Sequence, residues 1–521
     1  MSSAAVGRVA RAATIVALLG MVSRLLGFVR EQVLAGVYGA SAQTDALVNS
    51  LFVVNTVAAV LLYVLTTLVI PVFQQERERD GTASAWRLLS AIAVWTGLVL
   101  IALSAVVAIF PELPTALFGL EDPQRVHATE SLIRIMAPAL MLQGFSALFT
   151  ALLQIHGRFA GPAAVGVAFN FGIIVGVVVG QGSIGIEAAG WGVTIGALLQ
   201  IILQLPQFFR LVRSSEIRLG IAHPRLAAVG VLALPVLAAS VLQQINGFTD
   251  RLFANTIAAG RTSALNFANA LGSAPRTALL FPLLTPLFPL VARMVAQRRE
   301  TEALRAFDRA AGLLALVAVP MGAFMAIYAT EITRIAFGHG KFSPDDVDQT
   351  AAPLVWYSLA IWGNFLGYLL NRTLSAANRA ADIMVATVVT VALTIGLDLA
   401  LLGPMEQAGL ALASGIAVYA NTAICLWYMR RTFPHTGLRR LGAQQGRILL
   451  CGAIGAGVCL LLNLALPSEH SPWPKAAALI TAKGLIGLAA FIAAARFLAR
   501  AELADGVRSA RSLLPRRWRP A

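Results

Sequence analysis

Apolar residues recur along this chain in long runs separated by short polar connections, from near Ala12 to near Ala499. A run of about twenty such residues crosses the hydrocarbon core of a bilayer as a helix. Fourteen runs are separable, near 12–39, 46–73, 85–110, 131–155, 162–181, 187–211, 226–256, 263–292, 306–329, 351–374, 382–402, 407–429, 446–466 and 475–499. The pattern predicts an all-α polytopic membrane protein of about fourteen transmembrane helices.

The connections alternate in charge. One set carries Arg77, Arg79 and Arg87, then Arg158, Arg210, Arg213, Arg218 and Arg225. It continues with Arg293, Arg298, Arg299 and Arg305, then Arg379, Arg430, Arg431, Arg439, Arg440 and Arg447. The other set is acidic or nearly uncharged: PELPTALFGLEDP, QGSIGIEAAG, GPMEQ and LPSEHSPWP, with Arg261, Arg334 and Lys341 as exceptions. The arginine-rich set is expected in the cytoplasm, which places both termini there.

The chain also repeats itself. AIFPELPTALFG ends at Gly119 and AIYATEITRIAFG at Gly338, 219 residues on. Pro71 in LVIPVFQQ and Pro289 in TPLFPLVAR are 218 apart, and Arg158 and Arg379, in LLQIHGRFAGPAAVGV and TLSAANRAADIMVATV, are 221 apart. A repeat of six spans is even, so both copies enter from the same side and are related by an axis along the membrane normal. Two pseudo-symmetric six-helix lobes facing a central cavity are a transporter architecture. The predicted divisions are 1–222 for the N-terminal lobe, 223–432 for the C-terminal lobe, and 433–521 for two extra helices with a basic cytoplasmic tail.

Composition agrees. The 521 residues are 58% hydrophobic and 12% charged, a balance no ordinary soluble fold carries. A net charge of +15 would suggest nucleic acid in a soluble protein; here the basic residues sit in loops between spans, and no nucleic-acid partner is expected. Cys425, Cys451 and Cys459 lie in apolar runs without a metal-ligand spacing, and the six His are scattered. The first run reads as a retained span rather than a cleaved signal. Nucleophile-elbow, phosphate-loop and metal motifs are absent, so the expectation is a transporter and not an enzyme.

Candidate chemistry is concentrated in MVSRLLGFVREQVLAGVYGASAQTD, residues 21–45. Arg24 stands twelve residues into the first run, about 18 Å along a helix, and Arg30 is one to two turns deeper. Permanent cations at that depth are costly unless they face water or an anion, which points to an anionic substrate; the competing reading has both side chains snorkelling to headgroups. Gly27 between them can let the helix bend so that both aim inward. Glu31 either tempers the site's charge or faces outer water. Asp45, next to Thr44, either caps the second helix or gates the site. Asn49, Asn170, Gln243, Gln244 and Asn246 read as interhelical hydrogen-bonding residues.

SRLLGFVREQVLAGVYGASAQTDAL resembles the first-helix signature of the lipid II flippase family (MurJ/MviN). ALLQIHGRFAGPAAVGVAFN and TDRLFANTIAAGRTSALNFANAL resemble that family's fourth-to-fifth and seventh-to-eighth helix stretches. The resemblance covers roughly residues 10–500. It implies the fold of the multidrug/oligosaccharidyl-lipid/polysaccharide exporters, alternating access, and a bacterial cytoplasmic-membrane location. It also implies a lipid-linked anionic substrate of undecaprenyl-pyrophosphate type, among membrane lipids, with the two terminal helices grooved for its prenyl tail and the chain working as a monomer.

The chain departs from the family pattern in two places. The second helix keeps Asn55 but has no arginine where the family often carries an arginine pair after a Leu-Pro-Asn, and Ala270 stands where the eighth helix often has Arg, with Arg276 six residues on. A flippase for another lipid-linked saccharide, or a drug or small-molecule exporter of the same fold, therefore stays open, and a non-transporting scaffold is a third reading. No bound cofactor is expected; energy would come from a sodium ion or proton gradient or from the membrane potential. Asp398 lies deep in its span and Asp250 in the seventh. Some members of the resembled family bind a cation between the seventh, eleventh and twelfth helices, which would make Asp250, Thr394, Asp398 and Ser414 the corresponding oxygens.

Overall fold

The computed structural model describes residues 3–214, 220–275, 294, 297, 299–434, 437–467 and 472–513. The described secondary structure is helical, with no strand among the described residues. In order the helices are α1 (Ser3–Tyr38), α2 (Ala42–Val64), α3 (Ile70–Asp80), α4 (Thr82–Ile109), α5 (Glu112–Ala116), α6 (Pro123–Ile155), α7 (Ala160–Ile184), α8 (Glu187–Ser214) and α9 (Leu226–Asn255). Then come α10 (Arg261–Pro275), α11 (Glu300–Ile327), α12 (Ala329–Phe337), α13 (Pro344–Leu359), α14 (Ile361–Ala376), α15 (Ala380–Thr432), α16 (Leu438–Ala465), α17 (Trp473–Leu498) and α18 (Arg500–Leu513). Ten helices among the described residues are long and apolar enough to cross a membrane.

Local sequence explains the boundaries. Ser41 caps α2 by accepting from the Thr44 N–H, and Asp122 caps α6 by accepting from the Gln124 N–H, with Pro123 in the first turn. Ser343 and Asp346 form a reciprocal capping box on α13. A π-turn at Leu65–Val69 joins α2 to α3 without a break. The predicted connection GPMEQ is narrower than a loop: α15 runs through it, interrupted only at Glu406, where φ is +49°.

Two compact units divide the chain. The first holds residues 1–263 with 340–342, and so includes α9; the second holds 264–339 and 343–521. In the first, α6 packs on α2, α4 and α8, and α7 lies along both α1 and α8. The α7–α8 seam is built of glycine: a Cβ on Gly172 would stand 2.3 Å from the Gly196 Cα, so only backbone meets backbone there. Leu65, Phe73, Trp86, Leu88 and Leu148 form a buried cluster where α3, α4 and α6 meet. Gln204, fully buried, joins α8 to α6 through Ser146 (2.8 Å) and Thr150 (3.1 Å). In the second unit α11 packs on α13, α14, α16 and α18, and α16 lies against α17.

The repeat has a backbone signature. α6 and α14 end alike: Gly157 and Asn378, 221 residues apart, both adopt left-handed φ (+69° and +59°). The next residue's N–H then closes back onto the helix, Arg158 onto Leu153 O at 2.8 Å and Arg379 onto Leu374 O at 2.9 Å. Each is a Schellman ending that launches the following helix. Phe118 and Phe337, 219 apart, are both fully buried.

Candidate functional site

α1 carries the predicted cations. Arg24 is exposed and Arg30 is half-buried. Arg30 donates from Nη1 to Asn170 Oδ1 of α7 at 3.1 Å, and its Nη2 pairs with Glu31 Oε1. Glu31 is buried, with its Oε1 against the Arg30 guanidinium. Asn170 is saturated on its other side, donating to Ser23 O at 3.1 Å and Gly166 O at 2.9 Å. This one amide therefore ties α7 to α1 about two turns before Arg30 and holds the guanidinium itself. Its Nδ2 would stand 3.5 Å from a Cβ on Gly27, so the predicted bend position is also where the two helices approach.

Asp45 is committed elsewhere. Ser41, not Asp45, caps α2. The Asp45 carboxylate reaches the start of α10, accepting from Gly260 N–H through Oδ2 and Ser263 N–H through Oδ1, both at 2.7 Å. Arg125 of α6 stands 3.5 Å from the same carboxylate and donates to Asn255 O at 3.1 Å. Asn255 Oδ1 accepts from Asn49 (3.1 Å) and Thr262 (2.8 Å). A carboxylate with two helix-terminal N–H donors and a guanidinium is an anchor between α2, α6 and the α9–α10 turn. The sequence reading missed Arg125, although a basic residue in the first turn of a helix is unfavourable and is a signal of a specific partner.

Asn55 is exposed on α2. Arg276 lies outside the described residues. Of the predicted cation ligands, Asp250 belongs to the first unit and Thr394, Asp398 and Ser414 to the second. Asp398 is fully buried in α15, Thr394 one turn before it donates to Thr390 O at 2.8 Å, and Ser414 is half-buried beyond the break at Glu406. Asp250 Oδ1 is buried without a hydrogen-bond partner among the described residues.

The last two long helices build a different feature. A groove of about 570 Å³ is lined by α11, α16 and α17, with Pro320, Phe324, Gly452, Cys459, Gly484 and Phe491 on its walls. Behind it Lys483, 2% exposed, donates to Asn463 Oδ1 at 2.8 Å and stands 5.7 Å from the Tyr328 ring centroid. Sequence reasoning missed this lysine too; a lone Lys amid the apolar run of α17 is the signal.

An all-helical membrane chain with an internal six-span repeat, cations within its first span and a lipid-sized apolar groove is a transporter of lipid-like or amphiphilic cargo. The sequence model of the family described as "Lipid II flippase MurJ" matches residues 34–473, and the chain belongs to that family. Similar proteins include the probable lipid II flippase MurJ of Buchnera aphidicola subsp. Acyrthosiphon pisum, 25% identical over 78% of this chain and 81% of that one. The lipid II flippase MurJ of Burkholderia cenocepacia is 23% identical over 82% and 83%. Among solved structures, "Lipid II flippase MurJ, inward closed conformation" superposes with a TM-score of 0.79 at 19% identity, covering 94% of this chain and all of that one. An inward-facing multidrug resistance MATE family transporter of the MOP superfamily gives 0.65 at 11% identity, over 83% and 99%.

Proposed function

We propose that this chain is a lipid II flippase that carries the pyrophosphate-linked saccharide headgroup from the cytoplasmic to the outer leaflet by alternating access, with both termini in the cytoplasm. The observation that carries the reading is Arg30: a guanidinium held within the first helix by Asn170 and Glu31, with Arg24 a turn and a half away. A fixed planar fork suits a pyrophosphate and does nothing for a cationic drug. The groove between α11, α16 and α17 supports the same reading, because its small and apolar lining fits a prenyl chain. Ion coupling through Asp398, with Thr394 as a neutral oxygen on the same face, accounts for a buried carboxylate at that depth.

The test is complementation of a flippase-depleted bacterium combined with measurement of lipid II accessibility at the outer surface. Arg24→Ala and Arg30→Ala are expected to abolish transport while the protein stays inserted, and Lys at either position to restore it only in part. Full activity of the double Ala variant overturns the reading.

A further inference from the structure

We infer that the end of the apolar groove next to α18 is a lipid-phosphate site built on Arg447 of α16, and that Glu502 of α18 holds the place of the phosphate there. The inference rests on the flippase reading above and adds to it a docking point on the last helices.

Leu316 of α11, Gly452 of α16 and Phe491 of α17 line the groove at its end nearest α18. α17 stops at Ala499 (φ −129°, ψ 43°), and α18 follows at once. Its Leu503 packs on the cluster that holds Val319, Ile448 and Phe491. A Cβ on Gly506 would stand 3.4 Å from the Leu316 side chain and 3.5 Å from that of Leu313. α18 therefore lies across this end of the groove.

Beyond the apolar end the walls turn polar. Arg447 stands five residues before Gly452 on α16, about 7.5 Å further along the helix. Its Nη1 is 4.0 Å from Glu502 Oε1, with the arginine side chain 52% exposed and the glutamate side chain 9% exposed. Glu502 Oε2 is buried with no hydrogen-bond partner among the described residues. Gly312 of α11 makes the seat: a Cβ there would stand 2.6 Å from Gln444 Nε2 and 3.7 Å from Glu502 Cγ.

These features disfavour a purely structural bridge. A carboxylate taken out of water with one oxygen unsatisfied is costly, and an ion pair at 4.0 Å to a half-exposed cation returns little. Leu503, which anchors α18 to the cluster, is itself only partly buried. α18 is thus held loosely, while Arg447 keeps a water-facing side on which an anion can replace the carboxylate. In the orientation proposed above, this end of the groove is at the cytoplasmic leaflet. A polyprenyl chain lying in the groove would bring its first phosphate to that level, beside the arginine. Chain and phosphate then occupy adjoining parts of one site, and docked Glu502 and the lipid compete for Arg447.

The experiment uses the full-length protein in detergent micelles, with undecaprenyl pyrophosphate as probe and uncharged undecaprenol as control. It reads lipid affinity and the hydrogen exchange of residues 500–506. Undecaprenyl pyrophosphate is expected to raise exchange in α18, and undecaprenol to leave it unchanged. Glu502→Gln should tighten binding of the pyrophosphate lipid about threefold, because it frees Arg447. Arg447→Gln should weaken it about fivefold, with undecaprenol binding unchanged in both. The opposite signs are decisive, since a bridge that only supports the fold would send both variants the same way. Leu503→Ala loosens α18 without touching a charge; it should act like Glu502→Gln and decides if that variant fails to fold. Unchanged or jointly weakened binding in Glu502→Gln and Arg447→Gln, while Arg30→Ala loses it, overturns the inference and leaves the flippase reading standing. Wild-type affinity in the Arg24, Arg30 and Arg447 variants alike overturns both. An exchange response to phosphatidylglycerol as large as that to undecaprenyl pyrophosphate overturns the assignment of the phosphate to a polyprenyl lipid.

Discussion

Asn170 of α7 accepts a 3.1 Å hydrogen bond from Arg30 of α1 while its own amide N–H groups hold the Ser23 and Gly166 carbonyls. One side chain thus fixes both the cation and the stretch of helix that presents it. Asn170→Ala is expected to lower the rate of lipid II exposure about tenfold, the effect of losing a charge-assisted bond of about 1.5 kcal/mol. Asn170→Asp should lower it further, because a second carboxylate beside Arg30 neutralises it and faces two carbonyl oxygens. A wild-type rate in Asn170→Ala would show that Arg30 is positioned by other means.

The Asp45–Arg125 pair predicts a stability effect with a coupling. Both residues are buried, and Asp45 holds the first turn of α10 through two N–H groups. Removing one partner leaves the other charge unpaired, at a cost of about 3–5 kcal/mol. Asp45→Asn and Arg125→Gln should each lower the thermal midpoint in detergent, and the double variant should lose markedly less than the sum. Additive losses would mean that the two act on separate structures.

The twin helix endings at Gly157 and Asn378 predict opposite tolerances. Left-handed φ costs a Cβ-bearing residue about 1–2 kcal/mol, less for Asn than for most. Gly157→Ala and Asn378→Ala should each destabilise by about 1 kcal/mol, although a Cβ added at Gly157 would meet no neighbouring atom within 4 Å. Asn378→Gly should be neutral or slightly stabilising. Chemical or thermal denaturation of the three variants measures this, and a neutral Gly157→Ala would contradict it.

These cases show what can be read from the chain. Spans, the two-fold repeat and the two arginines of α1 are legible because they depend on local hydropathy and on chain offsets, and Arg158 and Arg379 marked the matched helix starts before any geometry was known. Asp45 and Arg125 are illegible for the opposite reason. Asp45 meets donors 215 and 218 residues away, and Thr44 and Asp45 beside a helix start look like a local cap. Arg125 signals a partner by its place in the first turn of α6, but nothing local says that the partner is Asp45.

The seam of the last two long helices carries the remaining prediction. α16 and α17 approach through Gly455, Cys459 and Gly487: a Cβ on Gly487 would stand 2.2 Å from Cys459 Sγ and 3.2 Å from Gly455 O. Small residues of this kind let membrane helices meet backbone to backbone, and the packing is lost when one grows. The same residues shape the groove, since Gly455, Cys459 and Gly487 are on its wall. Gly487→Ala should therefore destabilise by about 1–3 kcal/mol through overpacking and slow transport by narrowing the groove. Cys459→Ala removes the sulfur and leaves the nearest side-chain carbon 3.8 Å from the new methyl, an ordinary contact. The double variant Cys459→Ala/Gly487→Ala should accordingly regain much of the stability lost by Gly487→Ala alone, measured as thermal midpoint, with transport recovering in parallel. If Cys459→Ala brings no recovery, the sulfur is not what the glycine accommodates, and the approach of α16 to α17 is governed by the Gly455 backbone instead.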